Sequence, residues 1–311
     1  MLVLSQADVA SVLDMARLID AVEDAMVDLS AGRASVPPRV GAAVAHRNAI
    51  LAAMPAYLPS SAALTTKLVS VFPENRDRPT HQAIICCFDP ETGAPIAVMD
   101  GTLITAARTA AGSASATRML ARAGSATVAI VGSGVQAGSH VDALRSVGFT
   151  QFVVAGRNAA KISAFAAERS IIASSSIAEA VETADVACLA THADAPVIER
   201  GWIRPGTHIN SVGYNTQGAG ELDGATIRDA FVVVESRAAA FAPPPAGAVE
   251  LLGVLEPGDV AEIGERPVRA HDEQITVYKS VGVAVQDAAA AAMVLADARA
   301  AGLGVEVPIG H

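Results

Sequence analysis

Three cations stand where a charge needs a reason. Lys67 interrupts LTTKLVSVF, an otherwise apolar run with the alternation of a strand. A lysine facing inward from such a strand needs a partner, and burial depresses its pKa. Arg39 follows two prolines in SVPPRV, at a rigid entry to the next segment. Arg108 lies in LITAARTAA, near the start of a run of Ala, Gly, Ser and Thr that reads as a helix over 103–121. A cation in a first turn opposes the helix dipole, and an anion shared with the N-terminal N–H groups would offset that. The plainer alternative is a surface arginine lying along alanines. Thr80 and His81 come just before AIICCF and APIAVM, two strands flanking the hairpin sequence DPETG. A lone histidine is more often structural than catalytic, so His81 draws interest only from the cations near it.

A second constellation is GSGVQA (132–137), which follows the apolar run TVAIV. Gly132, Gly134 and Ala137 form G-x-G-x-x-A. Gly132 permits the tight turn, Gly134 lets a pyrophosphate approach the backbone, and Ala137 keeps the helix close to the strand. A pyrophosphate would rest on Gly132, Ser133, Gly134, Val135 and Gln136, over the positive end of the helix. Without a nucleotide, the same sequence is a plain strand–helix turn. The next strand, FVVAG, runs into Arg157 and Asn158, with no acid until Glu168. NAD binders usually carry an acid there for the ribose 2′-hydroxyl, whereas an arginine suits a 2′-phosphate. NADP(H) is therefore expected over NAD(H), the alternative being a solvated surface arginine.

Several elements must position these residues. Residues 5–32 read as a helix with Leu18, Val22, Ala25, Met26 and Leu29 on one face and Gly32 as its C-cap. A stretch rich in short strands follows. From Ala126 onward strands and helices alternate, which argues for a parallel, doubly wound sheet. The closing segment QDAAAAAMVLADARAAG reads as a helix that returns to the first domain and makes it discontinuous. The expected class is α/β: a Rossmann domain plus a discontinuous mixed α/β domain.

The 311 residues are 51% hydrophobic but only 4% aromatic, enough apolar mass for a buried core. A net charge of −10 without a basic cluster excludes nucleic acid as an expected partner. A site for an anionic substrate must then be built from a few placed cations. The start MLVLSQADVA has no basic lead or long apolar run, and 288–296 is too short to span a bilayer. Cys86, Cys87 and Cys188 sit in apolar runs without metal-ligand spacing and read as reduced core thiols. A cytoplasmic protein with no membrane partner and no metal is expected.

The segments KLVSVFPEN (67–75), PTHQAIICCFDPETGAPIAVMDG (79–101), LITAARTAAGSASA (103–116), GSGVQA and TVYKSVGVAVQDAAAA (276–291) occur in this order. Together they resemble the ornithine cyclodeaminase/μ-crystallin family over nearly the whole chain. The resemblance implies a homodimer, with a dimerisation and substrate domain over 1–115 plus 286–311 and a Rossmann domain over 116–285. It implies hydride exchange between a nicotinamide and the α-carbon of a small amino or imino acid. Arg39, Lys67 and Arg108 match the family's substrate-carboxylate and catalytic positions, and Thr80 a position near substrate and nicotinamide. On this basis Lys67 is the expected proton donor and His81 the second candidate; THQA, which contains His81, looks like the ketimine-reductase branch. Cyclodeaminases carry an aspartate where SVGYNTQGAGELD (211–223) has Asn215, and an amide cannot act as general base. Asn215 is then expected to contact substrate, while nearby Glu221 and Asp223 match structural positions. The leading expectation is an NADPH-dependent reductase of a small 2-imino acid. The alternatives are an ornithine cyclodeaminase with bound NAD and a non-catalytic NADPH-binding sensor.

Overall fold

The computed structural model describes residues 1–213 and 220–309. The chain divides into two compact units, residues 1–108 with 283–311, and residues 109–282.

The first unit opens with β1 (Leu2–Leu4), α1 (Gln6–Val12) and α2 (Met15–Ser30). One helix over 5–32 was expected; two form, because the sequence supplies two N-caps. Ser5 caps α1 and Asp14 accepts the Arg17 N–H to start α2. An antiparallel meander follows: β2 (Val40–Val44), β3 (Ala49–Leu58), β4 (Ala63–Val71), β5 (His81–Phe88) and β6 (Pro95–Asp100). β1 pairs parallel with β6 and antiparallel with the last strand, Val305–Glu306, closing a seven-stranded sheet. The β5–β6 turn falls on DPETG, with Gly93 at φ +71° and Asp89 accepting the Glu91 and Thr92 N–H groups.

The C-terminal helix Ala284–Ala301 lies on β3, β4 and β5, and α2 packs against that helix. The helix carries Ala288, Ala289, Ala290 and Ala291, all buried. Four consecutive residues point all round a helix, so these methyl groups let it pack closely on the strands on one side and on α1 and α2 on others. Gly302, left-handed at φ +65°, ends it as its sequence implies.

The helix α3 (Gly101–Leu120) starts two residues earlier than its composition suggested, because Asp100 accepts the Leu103 N–H and caps it. Its second half, in the second unit, is lined with Ala110, Ala111, Ala114 and the buried hydroxyls of Ser113 and Thr117.

The second unit is the doubly wound α/β layer that the strand–helix alternation predicts. Its elements are β7 (Thr127–Val131), α4 (Val135–Ser146), β8 (Gln151–Ala155), α5 (Ala159–Arg169), β9 (Ile172–Ala173), α6 (Ile177–Thr183), β10 (Val186–Leu189), β11 (His208–Ser211), α7 (Gly224–Asp229), β12 (Phe231–Val234), α8 (Arg237–Ala240), β13 (Ala261–Glu262) and β14 (Thr276–Lys279). The sheet order is β13-β12-β14-β11-β10-β7-β8-β9, with every neighbouring pair parallel. Its middle strands are covered on both faces, which accounts for continuous runs such as TVAIV and FVVV. The chain leaves β7 toward β8 on one side and returns to β10 on the other. That reversal is the switch point of the strand order, at the carboxyl ends of β7 and β10.

Candidate active site

The meander sets a register that places Met54, Lys67, Ile85 and Met99 side by side across β3, β4, β5 and β6. All four face inward and all are buried; Lys67 is 2% exposed. The alternation of LTTKLVSVF thus puts an ammonium into an apolar row. Its partner comes from the covering helix: Lys67 Nζ lies 2.7 Å from Asp287 Oδ2. Arg108 donates from Nε to the other oxygen, Asp287 Oδ1, at 3.1 Å, and from Nη1 to Gln286 Oε1 at 2.9 Å. Gln286 Oε1 also accepts the Val283 N–H. Arg108 is 5% exposed and Asp287 fully buried.

Arg108 therefore does not sit in the first turn of its helix. It is the eighth residue of α3, and its charge meets Asp287 and Gln286 rather than the N–H groups of its own helix. At the helix start it is Asp100 that accepts an N–H, that of Leu103.

Two buried cations share one buried carboxylate, and their electrostatics follow from that. Burial alone would raise the Asp287 carboxyl, but Lys67 and Arg108 hold it below its ordinary value. Burial drives the Lys67 ammonium down to about 8; Arg108 and Arg39 push the same way, and Asp287 opposes them. His81 opens β5 on the same face as Ile85, two alternations away. Burial, Lys67 and Arg108 together lower it to about 4, so its imidazole is neutral at pH 7. Arg39 is half-buried. It precedes Val40, which pairs with Ala53, so the register carries Arg39 to the end of the Met54–Lys67 row. Thr80 is exposed and its carbonyl accepts the Phe72 N–H at 2.8 Å. Arg39, Lys67, His81 and Arg108 thus form one electrostatic cluster. Asn215 lies outside the described residues.

The glycine turn follows β7, at the reversal of strand order in the second unit. Gly132 has φ +119°, and a Cβ there would come 2.5 Å from the Ala190 carbonyl oxygen at the end of β10. Only glycine fits. Gly134 is the N-cap of α4, extended at φ −91°, with no side chain capping the helix. A Cβ on Gly134 would meet no atom within 4 Å. The protein's own packing does not require glycine there, whereas close approach of a ligand would. Ala137 is fully buried against the strand layer. These residues fit a pyrophosphate resting on the start of α4. Arg157 is exposed just past β8. Asn158 plays a structural part, since its Oδ1 accepts the Lys161 N–H and caps α5.

Glu221 is fully committed. Its Oε1 accepts Thr191 N–H and Oγ1–H, each at 2.7 Å; its Oε2 accepts Ser211 Oγ–H at 3.0 Å and Gly213 N–H at 2.7 Å. It ties the exits of β10 and β11 together. Asp223 caps α7 through the Thr226 N–H. Cys87 and Cys188 are buried, and burial pushes both thiols up to about 12, so neither is a nucleophile at neutral pH. Among the described residues, no grouping of His, Cys, Asp and Glu could hold a metal ion, and no helix is long and apolar enough to cross a membrane.

Reading the sequence missed Asp287 and Gln286. The signal was present: they are the two polar residues in AVQDAAAAAM, where every other side chain is apolar. It was read as the start of an alanine helix, because the partners lie about 180 and 220 residues away in sequence.

A profile of the ornithine cyclodeaminase/mu-crystallin family matches residues 1–302, and the chain belongs to that family. It is 39% identical over 285 residues to ketimine reductase mu-crystallin of Mus musculus, covering 89% of this chain and 90% of that protein. Among solved structures, Thermococcus litoralis Δ1-pyrroline-2-carboxylate reductase in complex with NADH and L-proline superposes with a TM-score of 0.93. Its identity is 38%, with 99% of this chain and 100% of that chain covered. An archaeal alanine dehydrogenase dimer with bound NAD gives a TM-score of 0.92 at 32% identity, covering 100% of this chain and 99% of that one.

The two glycines of the turn separate by experiment. Gly132→Ala should lose about 1–3 kcal/mol of stability from strain and the clash with Ala190. Gly134→Ala should lose about 1 kcal/mol or less. Urea denaturation of the two variants reads the difference.

Proposed function

We propose that this protein is an NAD(P)H-dependent reductase of a small 2-imino acid, cyclic or acyclic, working in reverse as an amino-acid dehydrogenase. The observation that carries the reading is the pair of buried cations, Lys67 and Arg108, sharing the single carboxylate of Asp287. The surplus positive charge is the complement of a substrate carboxylate. A glycine turn shaped for a pyrophosphate and relatives that are imine reductases or an amino-acid dehydrogenase support the same reading.

Arg108 uses Nε and Nη1 on the protein, and Nη2 is the edge that grips the substrate carboxylate, with Arg39 as the second cation. When bound, a dihydronicotinamide would supply hydride chemistry at the α-carbon. As that carbon gains the pair, Lys67 gives a proton to the imine nitrogen, and the resulting lysine amine is recharged from water. The two candidate donors differ in their state at neutral pH. Lys67, at about 8, is mostly protonated; His81, at about 4, holds a proton in roughly one molecule in a thousand. Lys67 is therefore the donor, and His81 and Thr80 border the substrate. Asn215 shapes side-chain preference and, being an amide, provides no general base for a cyclodeaminase cycle. A non-catalytic sensor has no need of an ammonium held near neutrality beside a guanidinium.

NADP(H) is the preferred cofactor on this reading, because Arg157 and no acid follows β8. The chain also works as a homodimer. The outward positions of β3, β4 and β5, including Leu51, Tyr57, Leu64, Leu68 and Ile84, carry no charged side chain. Leu51 and Ile84 are 48% and 45% exposed in the single chain, an area that a second copy would cover.

The test is NADPH oxidation with Δ1-pyrroline-2-carboxylate, Δ1-piperideine-2-carboxylate, and pyruvate or glyoxylate with amines, alongside ornithine with NAD⁺ assayed for proline. NADPH oxidation without proline from ornithine is expected; proline from ornithine would replace this reading with the cyclodeaminase. Lys67→Ala should lower kcat by about 10²–10⁴ with NADPH affinity unchanged. Reduction should decline as pH rises through about 8, where Lys67 loses its proton. Arg157→Ala should weaken NADPH binding about tenfold and leave NADH binding unchanged, read by fluorescence titration. Sedimentation equilibrium should give twice the chain mass, falling toward the monomer in Leu68→Lys/Ile84→Lys.

A further inference from the structure

We propose that Asp287 is a positioning residue: its carboxylate sets the separation of the Lys67 ammonium and the Arg108 guanidinium and holds that ammonium as the proton donor. The inference rests on the role given to Lys67 under the proposed function.

The two oxygens engage different cations. Oδ2 meets Lys67 Nζ at 2.7 Å and Oδ1 accepts from Arg108 Nε at 3.1 Å. One planar group therefore fixes two cations that come from different elements, β4 and α3. The carboxylate is itself fixed from behind. Asp287 is the fourth residue of the C-terminal helix, where the helix dipole favours a negative charge. Gln286, one residue earlier, accepts from Arg108 Nη1 and from the Val283 N–H, so the guanidinium is oriented by two consecutive residues of one turn. Oδ1 accepts a hydrogen bond from Arg108 and Oδ2 faces the Lys67 ammonium as an ion pair, so the role assigned to Asp287 runs through these two cations.

Its charge is as important as its place. The groups around Lys67 are Arg39 before β2, His81 on β5, Arg108 on α3 and Asp287 on the C-terminal helix. Both arginines favour loss of the ammonium proton, and His81 is neutral at pH 7. Asp287 is the one anion opposing them among the described residues, in an apolar row where Met54, Ile85 and Met99 offer no hydrogen bond. A purely structural carboxylate would hold the helix to the sheet without setting the proton occupancy of Lys67.

The experiment compares wild type, Asp287→Asn and Asp287→Glu in two readouts. One is binding of pyrrole-2-carboxylate, a planar carboxylate with no reducible C=N bond, measured by calorimetry from about pH 6 to pH 10. The other is the pH profile of kcat for imine reduction. In the wild type both should weaken as pH rises through about 8. In Asp287→Asn both transitions should move down by about one unit or more. Asp287→Glu, which keeps the charge but moves it, should retain the transition near its wild-type pH. It should lose kcat at least tenfold while KM changes less than threefold. If Asp287→Asn fails to fold, the glutamate variant decides: wild-type kcat in Asp287→Glu overturns the positioning role. Unmoved transitions in a folded Asp287→Asn that still reduces imines also overturn it, and leave the proposed function standing. Moved binding transitions in a protein that reduces no imine sink the proposed function, while the dependence of Lys67 on Asp287 holds.

Discussion

The first unit is organised around one buried carboxylate that answers two buried cations. An ammonium inside an apolar sheet face is costly on its own, and a guanidinium beside it makes that worse. Asp287 makes the arrangement tolerable, and it can do so only where the C-terminal helix presses close to the strands. The alanines at 288–291 are what allow that approach. Meander register, helix composition and chemistry are thus one constraint: bulkier residues on the helix would lift Asp287 away from Lys67.

The second unit solves a different problem with the same economy of side chains. A parallel sheet covered on both faces leaves its strand ends as the place where polar chemistry can occur. At the exit of β7 the chain turns on two residues that have no side chain, Gly132 and Gly134. Gly132 answers a packing demand from Ala190, while Gly134 answers none from the protein. Glu221 holds the neighbouring exits of β10 and β11 in place with four accepted hydrogen bonds.

Much of this was legible in the chain because it is local. The alternation around Lys67, the hairpin at DPETG and the strand–turn–helix at GSGVQA depend on neighbours a few residues apart, and each element formed where its pattern lies. Two details were misread for the same physical reason: caps decide boundaries more sharply than composition does. Ser5 and Asp14 split one expected helix in two, and Asp100 starts α3 early enough to move Arg108 out of the first turn. The partner of Lys67 was not legible at all. Nothing in the spacing of β4 points to a residue about 220 positions later, since only the folded register brings the two together. The cations and the nucleotide turn stood out from their own residue patterns and the family resemblance added roles for them, but neither pointed to Asp287 or Gln286.

Two buried cations against one buried carboxylate give the cluster around Asp287 a surplus of positive charge. Under the proposed function, a small carboxylate would meet that surplus in the folded chain and have little to bind in the unfolded one. By mass action such a solute raises the free energy of unfolding by RT ln(1 + [L]/Kd), about 2.7 kcal/mol at a hundredfold excess over Kd. On that reading, an ample supply of substrate or product would shield the folded chain from unfolding and proteolysis.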